Sequence, residues 1–581
     1  MGKNTITINT KREIDTSNYV NTTTIKLMSF RRIYWIIIVL FAFAACNKQS
    51  NPAPVVTPES FSFNTLKING VYNGFTYTNI NLSPVIKFSF AIAINHTSVA
   101  NSVSFKNTTG TVIPYTTTYE DNDNTVVITP SQPLQYLTKY NVGVTTDLKS
   151  IANGNLQTAL SVHLTTAIDS TNKFPIVTDN QLLDIIQKQT FKYFWDFGHP
   201  VSGLARECNT SGDVVTMGGS GFGIMAIVIA INRQFITRAD GLVRMQKIVG
   251  FLKNTAQKFH GAFPHWMNGA TGAVVPFNAQ DNGADLVETS FLMEGLLTAR
   301  QYFNAATADE TNLVNNINTL WKNVEWSWFR QGDQNVLYWH WSPDQGWAIN
   351  MPIHGWDEAL MPYVLGASST VYPIPKIVYD NGWAGNGTIK NGNSYYNIML
   401  PLGPTLGGPL FFEHYSFMAI NPKGLTDAYA NYETQTRAHA LINYNYCISN
   451  PKGYDGYSNL CWGLTASDIA NGYTANSPTN DVGVIAPTAA VSSLPYTPVE
   501  SLRALKFFYY QLGDKTWGPY GFYDSFSLND LWFGTSNLAI DQGPIIVMTE
   551  NYRSGLIWNL FMSCPEIKTG MKSLGFTSPN L

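Results

Sequence analysis

At about residue 170 the apolar residues of this chain change their period, and that change calls for two domains built on different principles. Between Phe61 and Thr166 the segments 85–90, 102–105, 125–129 and 140–144 alternate apolar with polar residues and are separated by turn residues, so a β-sandwich is expected over 61–168. Past the linker 169–179 the spacing is helical. Asn180 is placed to cap a segment with apolar residues at Leu182, Leu183, Ile185, Ile186, Phe191, Phe194 and Trp195, and 223–231 is apolar almost throughout. Further helices are expected over 239–257, 286–303, 311–330, 356–367, 430–449, 485–492, 498–512 and 542–562. A helix that is apolar on every side has to be buried, which suits the inner layer of a double ring of helices, an all-α (α/α) toroid over 174–581. The loops between these helices are long and rich in Gly, Asn, Trp and Tyr, as a cleft at one face of the ring would require.

Composition narrows the partners. The net charge is -3 and charged residues make up 13%, so there is no basic field for nucleic acid. The chain is instead rich in rings, with 15 Trp, 30 Tyr and 32 Phe, many beside Gly, Asn or Asp. Flat rings stack on the C–H faces of sugars while neighbouring amides and carboxylates bind the hydroxyls.

Arg31-Arg32, the apolar run 33–45 and Cys46 read as an export signal, too short to persist as a membrane span. Met1 and Met28 both stay open as its start. The ending Phe43-Ala44-Ala45-Cys46 resembles a bacterial lipobox, which implies lipidation of Cys46, a membrane anchor and an outer-membrane lipoprotein facing the periplasm or the cell surface. The proline-bearing segment 47–60 is a tether. Of the other cysteines, Cys447 and Cys461 are open to pairing or to burial as free thiols. No CxxC or HExxH occurs, so neither metal nor cofactor is expected.

The densest chemistry lies in Asp281-Asn282-Gly283-Ala284-Asp285-Leu286-Val287-Glu288. Asp281, Asp285 and Glu288 are spaced i, i+4, i+7, so a helical turn would point all three the same way, and like charges held close separate their pKa values into an acid and a base. Asp285 with Glu288 also fits an N-cap with an acidic third residue, and the two readings are compatible. Four other segments put polar groups beside glycine or at a helix start: His354-Gly-Trp356-Asp357-Glu358, Glu413-His414-Tyr415 after Gly407-Gly408-Pro409, Trp462 to Asp468, and Asp541-Gln-Gly-Pro544.

Together with His260-Gly-Ala-Phe-Pro-His265-Trp266, Asn450-Pro-Lys-Gly-Tyr454 and Ser477-Pro-Thr-Asn-Asp481, these motifs make residues 174–565 resemble glycoside hydrolase family 144, bacterial endo-β-1,2-glucanases. The stretch around Thr129-Pro130 and Tyr140 is similar to bacterial immunoglobulin-like modules. The resemblance implies an (α/α)₆ barrel and inverting hydrolysis of β-1,2-glucan without a cofactor, by a monomer. It places catalytic carboxylates at Asp281, Asp285, Glu288, Glu358 and Asp541, and Ala284 and Asp357 depart from its commoner Gly and Asn. His265, Trp266, Trp356, His414, Tyr415 and Trp462 are expected to line the sugar subsites. Glu358, flanked by Trp356, Ala359 and Leu360, is expected to be the acid, while Asp285 and Glu288 at a helix start are expected to stay ionised. Two other classes remain: a glycan-binding lipoprotein, which needs no clustered carboxylates, and a lyase, for which Arg437 and Arg553 supply few cations.

Overall fold

The computed structural model describes residues 58–581. The export signal, Cys46 and most of the tether lie outside the described residues. Two compact units result. Ser83–Pro133 and Lys139–Leu164, with the residues up to Tyr77, form one; Thr78–Leu82, Leu134–Thr138 and Thr165–Leu581 form the other.

The N-terminal region carries eight strands: β1 (Phe63–Ile68), β2 (Thr76–Ile80), β3 (Ile86–Phe90), β4 (Val103–Asn107), β5 (Tyr115–Glu120), β6 (Thr125–Pro130), β7 (Lys139–Val144) and β8 (Leu160–Thr166). They make two four-stranded sheets, β1-β3-β6-β5 and β2-β8-β7-β4. Alternation is the cause: Leu160, Val162 and Leu164 of β8 are buried while Ser161 and His163 between them are exposed. Before β4 stands the short α1 (His96–Ser102), capped by the Asn95 side chain on the Thr97 amide.

The larger unit is helical. Its first helix, α2 (Asp179–Trp195), starts on a capping box in which Thr178 takes the Gln181 amide and Gln181 reaches back. The expected cap at Asn180 is thereby corrected: Asn180 lies inside the first turn, because the hydroxyl of Thr178 reaches the orphan amides first. There follow β9 (Val214–Thr216), α3 (Met217–Asn232), α4 (Arg238–Asn254), β10 (Trp266–Asn268), β11 (Val274–Val275), β12 (Ala284–Asp285), α5 (Leu286–Phe303), α6 (Ala308–Lys322), β13 (His340–Trp341) and α7 (Leu360–Ser368). The chain continues through α8 (Lys376–Val378), α9 (Tyr432–Ser449), α10 (Pro487–Val491), α11 (Pro498–Lys506), α12 (Gly513–Thr516), α13 (Ala539–Arg553), α14 (Leu556–Met562) and α15 (Pro565–Leu574). The segment expected as one helix over 542–562 is two, broken where Gly555 takes φ 70°. The sequence reading also missed α15, although Pro565 at its start and Gly575 past its end are ordinary punctuation.

Five helices, α3, α5, α7, α10 and α13, are buried nearly all round, and α2, α4, α6, α9, α11 and α15 expose a polar face. The central pair is α3 and α5. A Cβ on Gly221 would lie 2.0 Å from the Phe291 carbonyl oxygen and one on Gly295 2.2 Å from that of Gly221, so both positions must be glycine for the backbones to touch. This contact fixes the start of α3 against the start of α5, where the carboxylates are.

Candidate active site

Asp285 is the N-cap of α5, and its Oδ1 accepts the amides of Val287 at 3.0 Å and Glu288 at 2.9 Å. Capping is thus real, but the reciprocal half is missing. The carboxylate of Glu288 turns away from its own cap to the start of α3, where Oε2 accepts the Gly218 amide at 2.7 Å and the Thr216 hydroxyl at 3.1 Å. Asp285 keeps Oδ2 for His265 Nδ1, 3.0 Å away. A side chain that were only a cap would have no need of that second partner.

The turn before α5 is not helical. Ala284–Asp285 instead pairs antiparallel with His340–Trp341, and this corrects the expected reason for convergence: a strand pair, not an i, i+4, i+7 helical face, gathers Asp281 with Asp285. It also delivers a residue the sequence analysis missed. His340 Nε2 lies 3.4 Å from Asp281 Oδ2 and 3.6 Å from Asp285 Oδ2. The aromatic run Trp339-His340-Trp341 was its signal in the sequence, but pairing across more than fifty residues is invisible there.

These groups have divergent acidities. Burial, the Asp285 charge and the nearby Glu288 push Asp281 up to about 7, against the pull of His265. Burial works against Asp285 too, yet its hydrogen bond from His265 and the two imidazoles hold it below the ordinary carboxylate value. Glu288 is raised, chiefly by burial, which departs from the expectation that its helix position would keep it ionised. Burial disfavours a charged His265, but Glu288, then Asp285, outweigh it and bring the ring to about 9. His340 is lowered by burial.

Glu358 stands one residue before the Ala359 N-cap of α7, outside the first helical turn in which the sequence reading put it. It therefore escapes most of the stabilisation that a helix start gives an anion. Burial first, then the charges of Glu288 and Asp285, lift it to about 7. Its neighbour Asp357 is pushed well above the ordinary value by burial and by Glu358, while its Oδ1 accepts the Ala359 amide at 2.8 Å. The influence of Glu288 and Asp285 on Glu358 sets the three carboxyls near one another. Glu358 and His265 keep part of their surface open to solvent.

A second carboxylate group completes the basin. Asp541, in the first turn of α13, is 3% exposed and is raised far above the ordinary value by burial and by Asp524. Asp524, itself lifted to about 7 by burial and by Asp468, accepts the Asp468 amide at 2.6 Å. Glu207 feels both Asp468 and His265 and so spans the two groups. Tyr415 is the common neighbour, its hydroxyl influenced by Asp541, Tyr473, Glu358 and Glu288. Tyr473, 38% exposed, has its hydroxyl raised by burial and then by Asp541, Asp524, Asp468 and Glu207. Asp524, Glu207 and Tyr473 lie in none of the motifs that the sequence analysis assigned to the site. Among the described residues, no arginine or lysine pairs with Asp281, Asp285, Glu288, Glu358 or Asp541; the ionic partners of Asp281 and Asp285 are histidines.

Three expected subsite residues are core residues instead. Trp462 is fully buried with its indole N–H on the Glu500 carbonyl at 3.3 Å. Trp356 is 5% exposed and donates to Glu413. His414, lowered to about 3 by burial and His439, is a neutral ring 3.1 Å from the Ser493 hydroxyl. Each was flagged for its glycine-rich surroundings, and close packing needs glycine as much as a sugar does. Trp266 remains half-buried beside the site, its ring 4.7 Å from Phe277 and 5.7 Å from His265. A separate ring cluster is formed by the half-buried Trp328 and Trp347, stacked at 4.8 Å, with His260 3.5 Å from Trp328. Cys447 and Cys461 are buried free thiols.

Donor atoms of His265, Asp281 and Asp285 all lie within 4.8 Å of one another, a set able to accept a divalent ion. Acid–base work needs no such ion: one cleft holds a carboxyl raised to about 7 and another kept ionised.

Comparison with known proteins gives the family. A family model, Glycoamylase, of glucoamylase-type proteins, matches residues 350–565, and a bacterial Ig-like domain model matches 58–166. The solved endo-β-1,2-glucanase of Chitinophaga pinensis, in complex with sophorotriose and glucose, is 50% identical, covers 70% of this chain and 100% of its own, and superposes with a TM-score of 0.68. The chain belongs to the Glycoamylase family, of the glycoside hydrolase family 144 type. A second solved family member, the β-1,2-glucanase of Parabacteroides distasonis, is 39% identical over 90% of this chain and 73% of its own, with a TM-score of 0.68. A curated relative from the same organism, an exo β-1,2-glucooligosaccharide sophorohydrolase acting at the non-reducing end, is 47% identical over 428 residues, 70% of this chain. The chain spans 59% of that relative's length.

Proposed function

We propose that this Glycoamylase-family chain is a glycoside hydrolase that cleaves β-1,2-linked glucan with inversion and releases sophoro-oligosaccharides. The observation that carries this reading is the split in acidity within one basin: Glu358 at about 7 against an Asp285 held below the ordinary value. Glu358 donates its proton to the leaving oxygen. The opposite wall, Asp285 with Asp281 and Glu288, activates water, and inversion asks for roughly 6.5–9.5 Å between the two working carboxyls. Tyr415, Tyr473 and Asp541 hold sugar hydroxyls between the walls. The linkage comes from the relatives, whose names specify β-1,2-glucan or its oligosaccharides.

The buried helices α3, α5 and α10, each followed directly by a helix with a polar face, support closure into an (α/α)₆ toroid with the basin at the mouth of the ring. The export signal and Cys46 belong to the same reading: a monomer tethered by lipid to the outer membrane would meet extracellular or periplasmic glucan.

The test is incubation with linear β-1,2-glucan, chromatography of the products, and NMR of the first-formed anomer. Release of α-anomeric sophoro-oligosaccharides supports the proposal. A ladder of sizes means internal cleavage and sophorose alone means cleavage from an end. No release from the wild type, or full turnover by Glu358→Gln, Asp285→Asn and Glu288→Gln, sinks it.

A further inference from the structure

Outside the basin, a buried polar cluster of the helical unit surrounds Glu413. This carboxylate is fully buried, and its Oε1 accepts three donors: the Trp356 indole N–H at 3.1 Å, the Gln435 amide at 2.9 Å and His439 Nδ1 at 2.8 Å. His439 Nε2 lies 3.0 Å from the Gly408 carbonyl, which can only accept, so that nitrogen carries a proton. The cradle is glycine by necessity: at Gly407, φ 94°, a Cβ would meet the His439 ring at 2.1 Å, and at Gly403, φ 97°, one would meet Trp356 at 2.9 Å.

Trp356 precedes Glu358 by two residues, and the chain is gripped again on the other side. Three residues beyond Glu413, the Ser416 hydroxyl donates to the carbonyl of Glu358 at 2.5 Å and accepts the Met361 amide at 3.1 Å. Between these grips lies Tyr415, whose hydroxyl is influenced by Asp541, Glu358 and Glu288. A single segment, 413–416, therefore brackets the loop of Glu358 and presents a ring to the same basin. The loop is also tied by the Gly355 amide to the Trp383 carbonyl at 3.0 Å and by the Ala359 amide to Asp357 Oδ1 at 2.8 Å, but Glu358 itself lies before the first turn of α7, where the helix does not fix it.

We infer that Glu413 is a positioning residue which, through the Trp356 indole, sets where the Glu358 carboxyl stands in the basin. This rests on the reading of Glu358 as the acid. The buried cluster does not touch sugar; it holds the loop so that the carboxyl stays in its poorly hydrated place, and displacement by about an ångström is enough to lose much of the rate.

The test uses Trp356→Phe, which keeps the ring and removes one donor, with Glu413→Gln as the stronger change. On linear β-1,2-glucan, kcat is expected to fall about tenfold or more while KM stays within about twofold. In protein labelled with 13C-glutamate, the Glu358 carboxyl signal, assigned by its loss in Glu358→Gln, is expected to titrate at lower pH in Trp356→Phe than in the wild type. A folded Trp356→Phe with unchanged kcat and an unchanged midpoint overturns the inference, as does a loss confined to KM. Should Glu413→Gln fail to fold, Trp356→Phe decides alone. If the wild type cuts no β-1,2-glucan, the proposed function falls, but the NMR midpoint still reads whether Trp356 positions Glu358.

Discussion

Asp285 does two jobs with its two oxygens, and substitution can separate them. Oδ1 caps α5 and Oδ2 binds His265. Asp285→Asn keeps an amide oxygen for the cap, so its melting temperature should stay within a few degrees of the wild type while turnover drops by about two orders of magnitude or more. Asp285→Ala loses the cap as well, at a further cost of about 1 kcal/mol, measurable by denaturant unfolding. The acid should appear in the pH profile. As the proposed acid Glu358 would work only while protonated, so kcat/KM should fall as pH rises through about 7. Asp281 titrates in the same range, so the limb belongs to the coupled set rather than to one residue. A limb near the ordinary carboxylate value of about 4.5 would contradict the raised acidity argued for the basin.

At the scale of elements, α5 carries an acid that the reaction does not use. Glu294, on the α5 face toward the core, is fully buried and lifted well above the ordinary value by burial, with the Ala419 amide as a backbone contact. Its folded pKa exceeds its unfolded one, so the folded state holds the proton more tightly. The stabilising contribution is complete below the unfolded pKa of about 4.5 and is lost as pH rises from there toward the folded value. Glu294→Gln, neutral at every pH, should match the wild type in melting temperature near pH 5 and exceed it by a few degrees near pH 8, as read by calorimetry. Equal melting curves at both pH values would mean that Glu294 is hydrated in the folded state. Helix starts follow the same logic of local chemistry. Residues 286–303 were readable from the sequence to the residue because Asp285 caps one end and an unbroken apolar pattern fills the rest. Residues 356–367 were misread at the start because Trp356 is held by Glu413, a tertiary bond that keeps the segment out of the helix until Leu360.

For the whole molecule, a net charge of -3 and a neutral glucan leave little long-range electrostatics to screen. KM for β-1,2-glucan should change by less than about twofold between 0.05 and 0.5 M NaCl, whereas a polyanionic substrate would show a steep dependence. The sequence by itself determined the two kinds of domain, the stretches that become helices, and the acidic and aromatic character of the cleft, because period, capping and composition are local properties. It also marked Asp281, Asp285 and Glu288 as a local cluster of carboxylates, while the strand pair with His340–Trp341 decided how they meet. Only the tertiary structure decided that His340 joins them, that Asp524 and Glu207 complete the second wall, and that Trp356, His414 and Trp462 face the core rather than the cleft. Which way a ring or a carboxyl points depends on what packs behind it, and those neighbours, such as Glu413 behind Trp356 and Glu500 behind Trp462, lie tens of residues away in the chain.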